Sequence, residues 1–199
     1  MTYDGARWTH PKATVYIAST DATLVAAYQE ALANWNATGS FTFTQVTNKS
    51  DAQIILADES DSSSQAAGLA ELKTNSLTNH ITHVDVKLNR YYLLDNDFGY
   101  TYERIVNTAE HELGHAIGLF HDDNEDSVMQ SSGSYYGIQQ VDIAAVNKLY
   151  QENQFYWISF QAGSACFLAV NTSMKMLSDR LKNGIIESLE AFDESSKRS

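Results

Sequence analysis

Three histidines and a glutamate stand in register between positions 111 and 121, in the run His111-Glu112-Leu113-Gly114-His115-Ala116-Ile117-Gly118-Leu119-Phe120-His121. On a helix, residues four apart stand one above the other on a single face, which is the relation of His111 to His115. Two neutral imidazoles so placed can bind one zinc ion. Glu112 lies one step round the helix, within reach of a water on that metal without having to be a ligand. Gly118 takes a positive φ at little cost, so the helix is expected to stop there and the chain to turn. His121 then returns under the helix and completes a three-histidine set. Three protein ligands leave a fourth position open, which is the catalytic and not the structural arrangement of zinc.

A buried amphipathic helix with incidental histidines is the plain alternative. It accounts for Ile105, Val106, Ala109, Leu113, Ala116 and Ile117, which are core-type residues at helical spacing. It does not account for three of the chain's six histidines falling within eleven residues. Average residue usage gives roughly one chance match to the five fixed positions per 10^5 chains of this length.

Elements must position this run, and alternation and helical periodicity locate them. Residues 13–19 alternate and are rich in β-branched and aromatic types, as a first strand does. Leu24, Ala27, Tyr28, Ala31, Leu32 and Trp35 recur at three and four, predicting a helix over 22–37 capped by Asp21 or Thr20. Strands follow over 41–46, over 52–57 (apolar enough to be buried on both faces) and over 83–88. Gly68 to Leu72 reads as a short edge strand. Residues 58–65 and 89–99 read as loops. The metal-binding helix spans roughly 102–117 with Thr101 as its cap, and a last helix covers 138–151.

The run from His111 to His121 is also the signature of the metzincin clan of zinc endopeptidases. Metzincins carry a methionine in a tight turn beneath the metal, and Ser127-Val128-Met129-Gln130 supplies one. Met129 lies eight residues after His121, the spacing seen in matrixins. Val141 to Tyr150 resembles the matrixin stretch D-D-I-x-G-I-Q-x-L-Y, departing at Val141 and Ala145. The resemblance covers most of residues 6–151 and is strongest over 105–130.

It implies an α+β fold: a twisted, mostly parallel sheet with two long helices in an upper lobe, and a small lower lobe holding the Met-turn and a C-terminal helix. It implies hydrolysis of peptide bonds in protein substrates by a zinc-activated water, with Glu112 as general base. Met129 would support the floor of the site, and Asp142 would tie the last helix to the Met-turn. Substrate would lie along an edge strand that includes Gly68, Leu69 and Ala70. One specificity pocket would have Asn107 at its base and the segment Ser131 to Tyr136 across from it, with Tyr135 or Tyr136 closing the far wall; Asn107 facing solvent is the alternative. His83 and Asp85 resemble half of a second, structural zinc site of matrix metalloproteinases. The H-x-D partner is missing from 58–72, so one zinc is expected, with His80 and His83 incidental. Asp122 to Asp126 reads as a solvated acidic loop in preference to a calcium site.

Two other classes stand beside this reading. A thermolysin-like peptidase takes its third ligand from a glutamate on a separate helix, a role His121 already fills. A catalytically inactive zinc-binding or adhesion module would be expected to have lost the general base, and Glu112 is present.

Composition bounds the rest. A net charge of −12 and a sequence pI near 4.7 argue against nucleic acid and anionic membranes as partners. The single cysteine, Cys166, excludes an internal disulfide. Residues 155–170 are apolar, but they are interrupted by Ser159, Gln161, Gly163 and Ser164 and are too short to span a membrane. Met174, Leu177, Leu181, Ile185, Leu189 and Phe192 predict an amphipathic helix over 173–192. Residues 1–151 are therefore expected to form the catalytic domain and 152–199 an extension, in a chain that is monomeric unless the extension associates. Met1 to Gly5 has neither the basic nor the apolar region of a signal peptide. Secretion is expected from the resemblance, with the signal and propeptide lying outside this sequence. Asn36, Asn48 and Asn171 stand in N-x-S/T sequons.

Overall fold

Five strands form one sheet in a computed structural model that describes residues 5–132 and 134–161, with side-chain surroundings to Gln151. The strands are β1 (Lys12–Ile17), β2 (Thr42–Gln45), β3 (Ile54–Glu59), β4 (Gly68–Thr74) and β5 (Ile81–Asn89), in the order β2-β1-β3-β5-β4. All neighbours are parallel except β4, which runs antiparallel to β5 and closes one edge. Ile54, Ile55 and Leu56 are all buried, so β3 is covered on both faces, as its unbroken apolar composition implies. The arrangement is the expected α+β one, with a mostly parallel sheet.

Helix α1 (Ala22–Ala37) begins at Asp21, whose carboxylate accepts from the Thr23 and Leu24 amides. Its buried residues are the six that the periodicity selects, Leu24 through Trp35. A one-turn helix, α2 (Arg90–Leu93), falls in a stretch read from sequence as loop. Four residues are too few to show a period, and the Asn89 side chain supplies its cap. Helix α3 (Tyr102–Ile117) carries His111 and His115 and starts at Thr101, whose hydroxyl accepts from the Arg104 amide. Helix α4 (Gln140–Gln161) runs ten residues past the expected end at 151, where no glycine or proline interrupts it.

The last carbonyls of a helix have no partner within it. In α3 they are taken up by distant side chains. Trp8 Nε1 donates to Ala116 O at 2.8 Å, and the Tyr150 hydroxyl donates to Ile117 O at 2.7 Å. The Trp8 amide in turn donates to the Tyr150 oxygen at 3.2 Å. The N-terminal segment Ala6–Trp8 is thereby pinned beneath the end of α3.

Gly118 ends the helix with φ +116°, and a Cβ there would stand 2.5 Å from Ala6 O. Gly118→Ala therefore meets both a left-handed backbone penalty and a backbone collision. It should destabilise the fold by about 2–4 kcal/mol. Denaturant unfolding of the zinc-free protein reads this directly; a loss below about 0.5 kcal/mol would contradict it.

The Asn36 side chain is committed to folding. Its amide clamps Phe43, donating to the carbonyl at 3.0 Å and accepting from the amide at 2.7 Å. The helix expected over 173–192, with Cys166 and Asn171, lies outside the described residues. Among those described, no helix is long and apolar enough to cross a membrane.

Candidate metal centre and active-site cleft

The last two turns of α3 put His111 and His115 on one face, and the turn at Gly118 brings His121 to them. His111 Nδ1 lies 2.7 Å from Val128 O, and His115 Nδ1 lies 2.9 Å from Leu119 O. A carbonyl only accepts, so each Nδ1 carries the proton and each Nε2 keeps a lone pair. Those Nε2 atoms are each 3.2 Å from His121 Nε2. Two nitrogens about 2.05 Å from one tetrahedral zinc are roughly 3.3 Å apart. The donor set thus fits a single zinc ion, and the three ligand atoms lie within 4.8 Å of one another. Among the described residues no other group of three such side chains converges.

Burial favours the neutral, metal-binding form. It lowers His111 below the usual imidazole value and takes His115 down to about 4, with neighbouring imidazole charge adding to the effect.

Two glutamates flank His111, and they point to different places. Glu110 accepts from Asn34 Nδ2 at 2.7 Å and from the Ile138 amide at 3.1 Å, tying α1 to the segment before α4. Glu112 lines the same cleft as the histidines and is 5% exposed. Burial pushes its carboxyl up to about 8. The charge of a divalent ion nearby would oppose that shift and favour the carboxylate. Its side chain lies on Gly68, where a Cβ would stand 2.5 Å from Oε1. The glycine that opens β4 is therefore what admits the glutamate.

Beneath the histidines, Met129 is fully buried, and a Cβ at Gly114 would run into its sulfur. Asp142, on α4, holds the turn that carries it. The Asp142 carboxylate accepts from Ser127 Oγ at 2.5 Å, from the Val128 amide at 3.1 Å and from the Gln139 amide at 2.8 Å. Ser127 Oγ accepts from the Met129 amide at 2.9 Å. Since Val128 O holds His111, a continuous chain of bonds runs from Asp142 to a metal ligand.

The cleft over the histidines has a volume of about 820 Å³. Gly68, Leu69 and Ala70 of the free β4 edge form one side, and Ser131, Ser132 and Ser134 the other. Asn107 is elsewhere. It is 6% exposed, donates to Ser134 O at 3.1 Å and lines a second cleft beside Glu110. Thr108, one residue on, faces the cleft of the histidines and meets Ser134 Oγ at 2.8 Å. Neither Tyr135 nor Tyr136 is among the lining residues. Tyr135 is 69% exposed with the Arg104 guanidinium 4.7 Å from its ring centre. Tyr136 is hydrogen-bonded to Asp126, whose carboxylate raises the phenol above its usual value. Thr108 stands three residues before His111, on the same helical face, so spacing is a usable signal for it. The serines belong to the segment after Met129, where the resemblance places the far wall, and Tyr100, which also lines the cleft, has no signal in sequence.

His83 Nε2 lies 3.1 Å from Asp85 Oδ1, and Lys73 Nζ sits 3.1 Å from the other carboxylate oxygen. A cation of the chain thus already neutralises that pair. In the acidic run, Asp123 accepts from the Ser131 amide and hydroxyl at 2.8 and 3.0 Å, and Asp122 accepts from Asn124. Calcium finds no converging carboxylates among these described residues.

Three converging imidazole nitrogens, two of them on rings fixed by an outer hydrogen bond, an open side and a buried carboxyl group in the same cleft are the parts of a single-metal hydrolase. The comparison with known families agrees. The chain belongs to the matrixin family, whose model matches residues 7–151, and is by that membership a zinc metallopeptidase. No curated protein sequence matches it.

Proposed function

We propose that the chain is an endopeptidase that cuts internal bonds of extended protein segments, using Glu112 as its general base and His111, His115 and His121 as zinc ligands. The observation that carries this reading is the placement of a buried carboxyl and three imidazole lone pairs in one cleft bordered by a free strand edge. When bound, zinc supplies Lewis acidity that polarises a carbonyl and acidifies a water. Glu112 accepts the proton of the attacking water as its oxygen bonds to the scissile carbon, and delivers it to the amine as the C–N bond breaks. The β4 edge offers backbone groups that pair with substrate independently of its sequence. Thr108 and Ser134 line the same cleft as His111, and their paired hydroxyls would face a substrate side chain. Met129 supports the floor. Residues 1–151 are the catalytic unit in this reading, and the enzyme acts outside the cell.

The test is cleavage of unfolded casein and of end-blocked peptides. Cleavage should stop with a chelator and return with zinc at one ion per chain. Bound zinc without cleavage of any substrate would favour an inactive zinc-binding module. Zinc should remain bound at pH 6, where a free histidine is already about three-quarters charged, because burial holds His111 and His115 neutral there, and be lost as pH falls toward the His115 value of about 4. Elemental analysis across that range checks it; loss already complete at pH 6 would contradict the effect of burial on His111 and His115.

A further inference from the structure

The geometry points to Asn89 as a positioning residue that holds one wall of the cleft by bridging both ends of the loop before β4; this rests on the peptidase reading. That loop, Ser60-Asp61-Ser62-Ser63-Ser64-Gln65, has no apolar side chain to bury, so packing cannot fix it. Yet the residues that follow, together with Gln65, line the cleft and lead into Gly68 against Glu112.

Asn89 stands at the end of β5, 2% exposed, and is not among the cleft's lining residues. Its Nδ2 donates to Asp61 O at 2.8 Å and to Ala66 O at 3.2 Å. Its Oδ1 accepts from the Asp61 amide at 3.0 Å and from the Tyr91 amide at 3.2 Å. Both donors and both lone pairs of the side chain are used. Its own backbone amide donates to Ala67 O at 2.8 Å. One buried amide thus pinches the loop at Asp61 and at Ala66, while Tyr92 Oη fixes the middle by donating to Ser64 O at 2.6 Å. No other residue type of this size supplies two donors and two acceptors at once. Freed from Asn89, the wall formed by residues 65–67 would sample positions that do not meet a bound peptide, while His111, Glu112 and His115 on α3 and His121 beyond it, none of which Asn89 bonds, would keep their places.

The test is steady-state cleavage of a quenched-fluorescence peptide extending on both sides of the scissile bond. It uses full-length zinc-loaded protein, with rates expressed per bound zinc and hydrogen exchange measured over residues 65–68. Asn89→Ala should raise KM about tenfold while kcat per zinc stays within about threefold, and should speed exchange at 65–68. Tyr92→Phe should raise KM by a smaller factor, about two- to threefold, with intermediate exchange. An unchanged KM together with unchanged exchange overturns the assignment, as does a fall in kcat per zinc at constant KM. Where Asn89→Ala does not fold, Tyr92→Phe decides alone, and wild-type KM and exchange in that variant overturn it. A wild-type protein that cuts nothing counts against the peptidase reading, and the exchange measurement still judges Asn89.

Discussion

Glu112→Gln should keep its zinc and lose about 10^2–10^4 in turnover, the usual worth of acid–base catalysis by a positioned side chain. Glutamine keeps the shape that fits over Gly68 but cannot accept a proton. The three Nε2 donors lie on other residues, so the metal has no reason to leave. His115→Ala is the contrasting case. It removes one of the three converging nitrogens, and metal and activity should vanish together. Side-by-side zinc analysis and peptide cleavage separate the two roles. Comparable zinc loss in both variants would sink the division of labour between ligand and base.

Asp142→Ala should cost the fold about 3–5 kcal/mol, because it strands the Ser127 hydroxyl and the Val128 and Gln139 amides without an acceptor. The loss should not stop at stability. Val128 is held through its amide by Asp142 and holds His111 through its carbonyl. A loosened Met-turn therefore frees the imidazole to rotate, and zinc affinity should fall roughly 10–100-fold. Denaturant titration of the zinc-free protein and competition with a metal-binding dye measure the two effects independently. A variant with full zinc affinity would show that the Met-turn keeps its form without this carboxylate.

What could be read from sequence is what local geometry determines. His111 and His115 are fixed by helical spacing, His121 by the turn that only Gly118 permits, and the six buried positions of α1 by their period. β4 runs two residues past the end its sequence suggests, because Lys73 and Thr74 are polar while their backbones still pair with β5. Asn107 and Thr108 show where spacing runs out. Positions four and three before His111 both share its face, and only the contacts of Ser134 decide which one turns toward the cleft. The Asn89 bridge joins residues far apart in the chain, and no local pattern announces it, whereas the serine wall follows from the resemblance, which places it in the segment after Met129. Asp142 was legible through the family resemblance, not through its own surroundings in sequence.

The free edge of β4 has a second consequence. An unpaired strand that can receive a peptide can also receive the same strand of another copy, and would then template aggregation. This edge carries its own defences. Glu71 and Lys73 put charge along it, and the register breaks between Lys73 and Thr74, so a flat partner strand could not follow it to its end. Substitutions that neutralise those charges to improve substrate binding should therefore be paid for in solubility, because the surface that admits substrate is the one that must refuse its own kind.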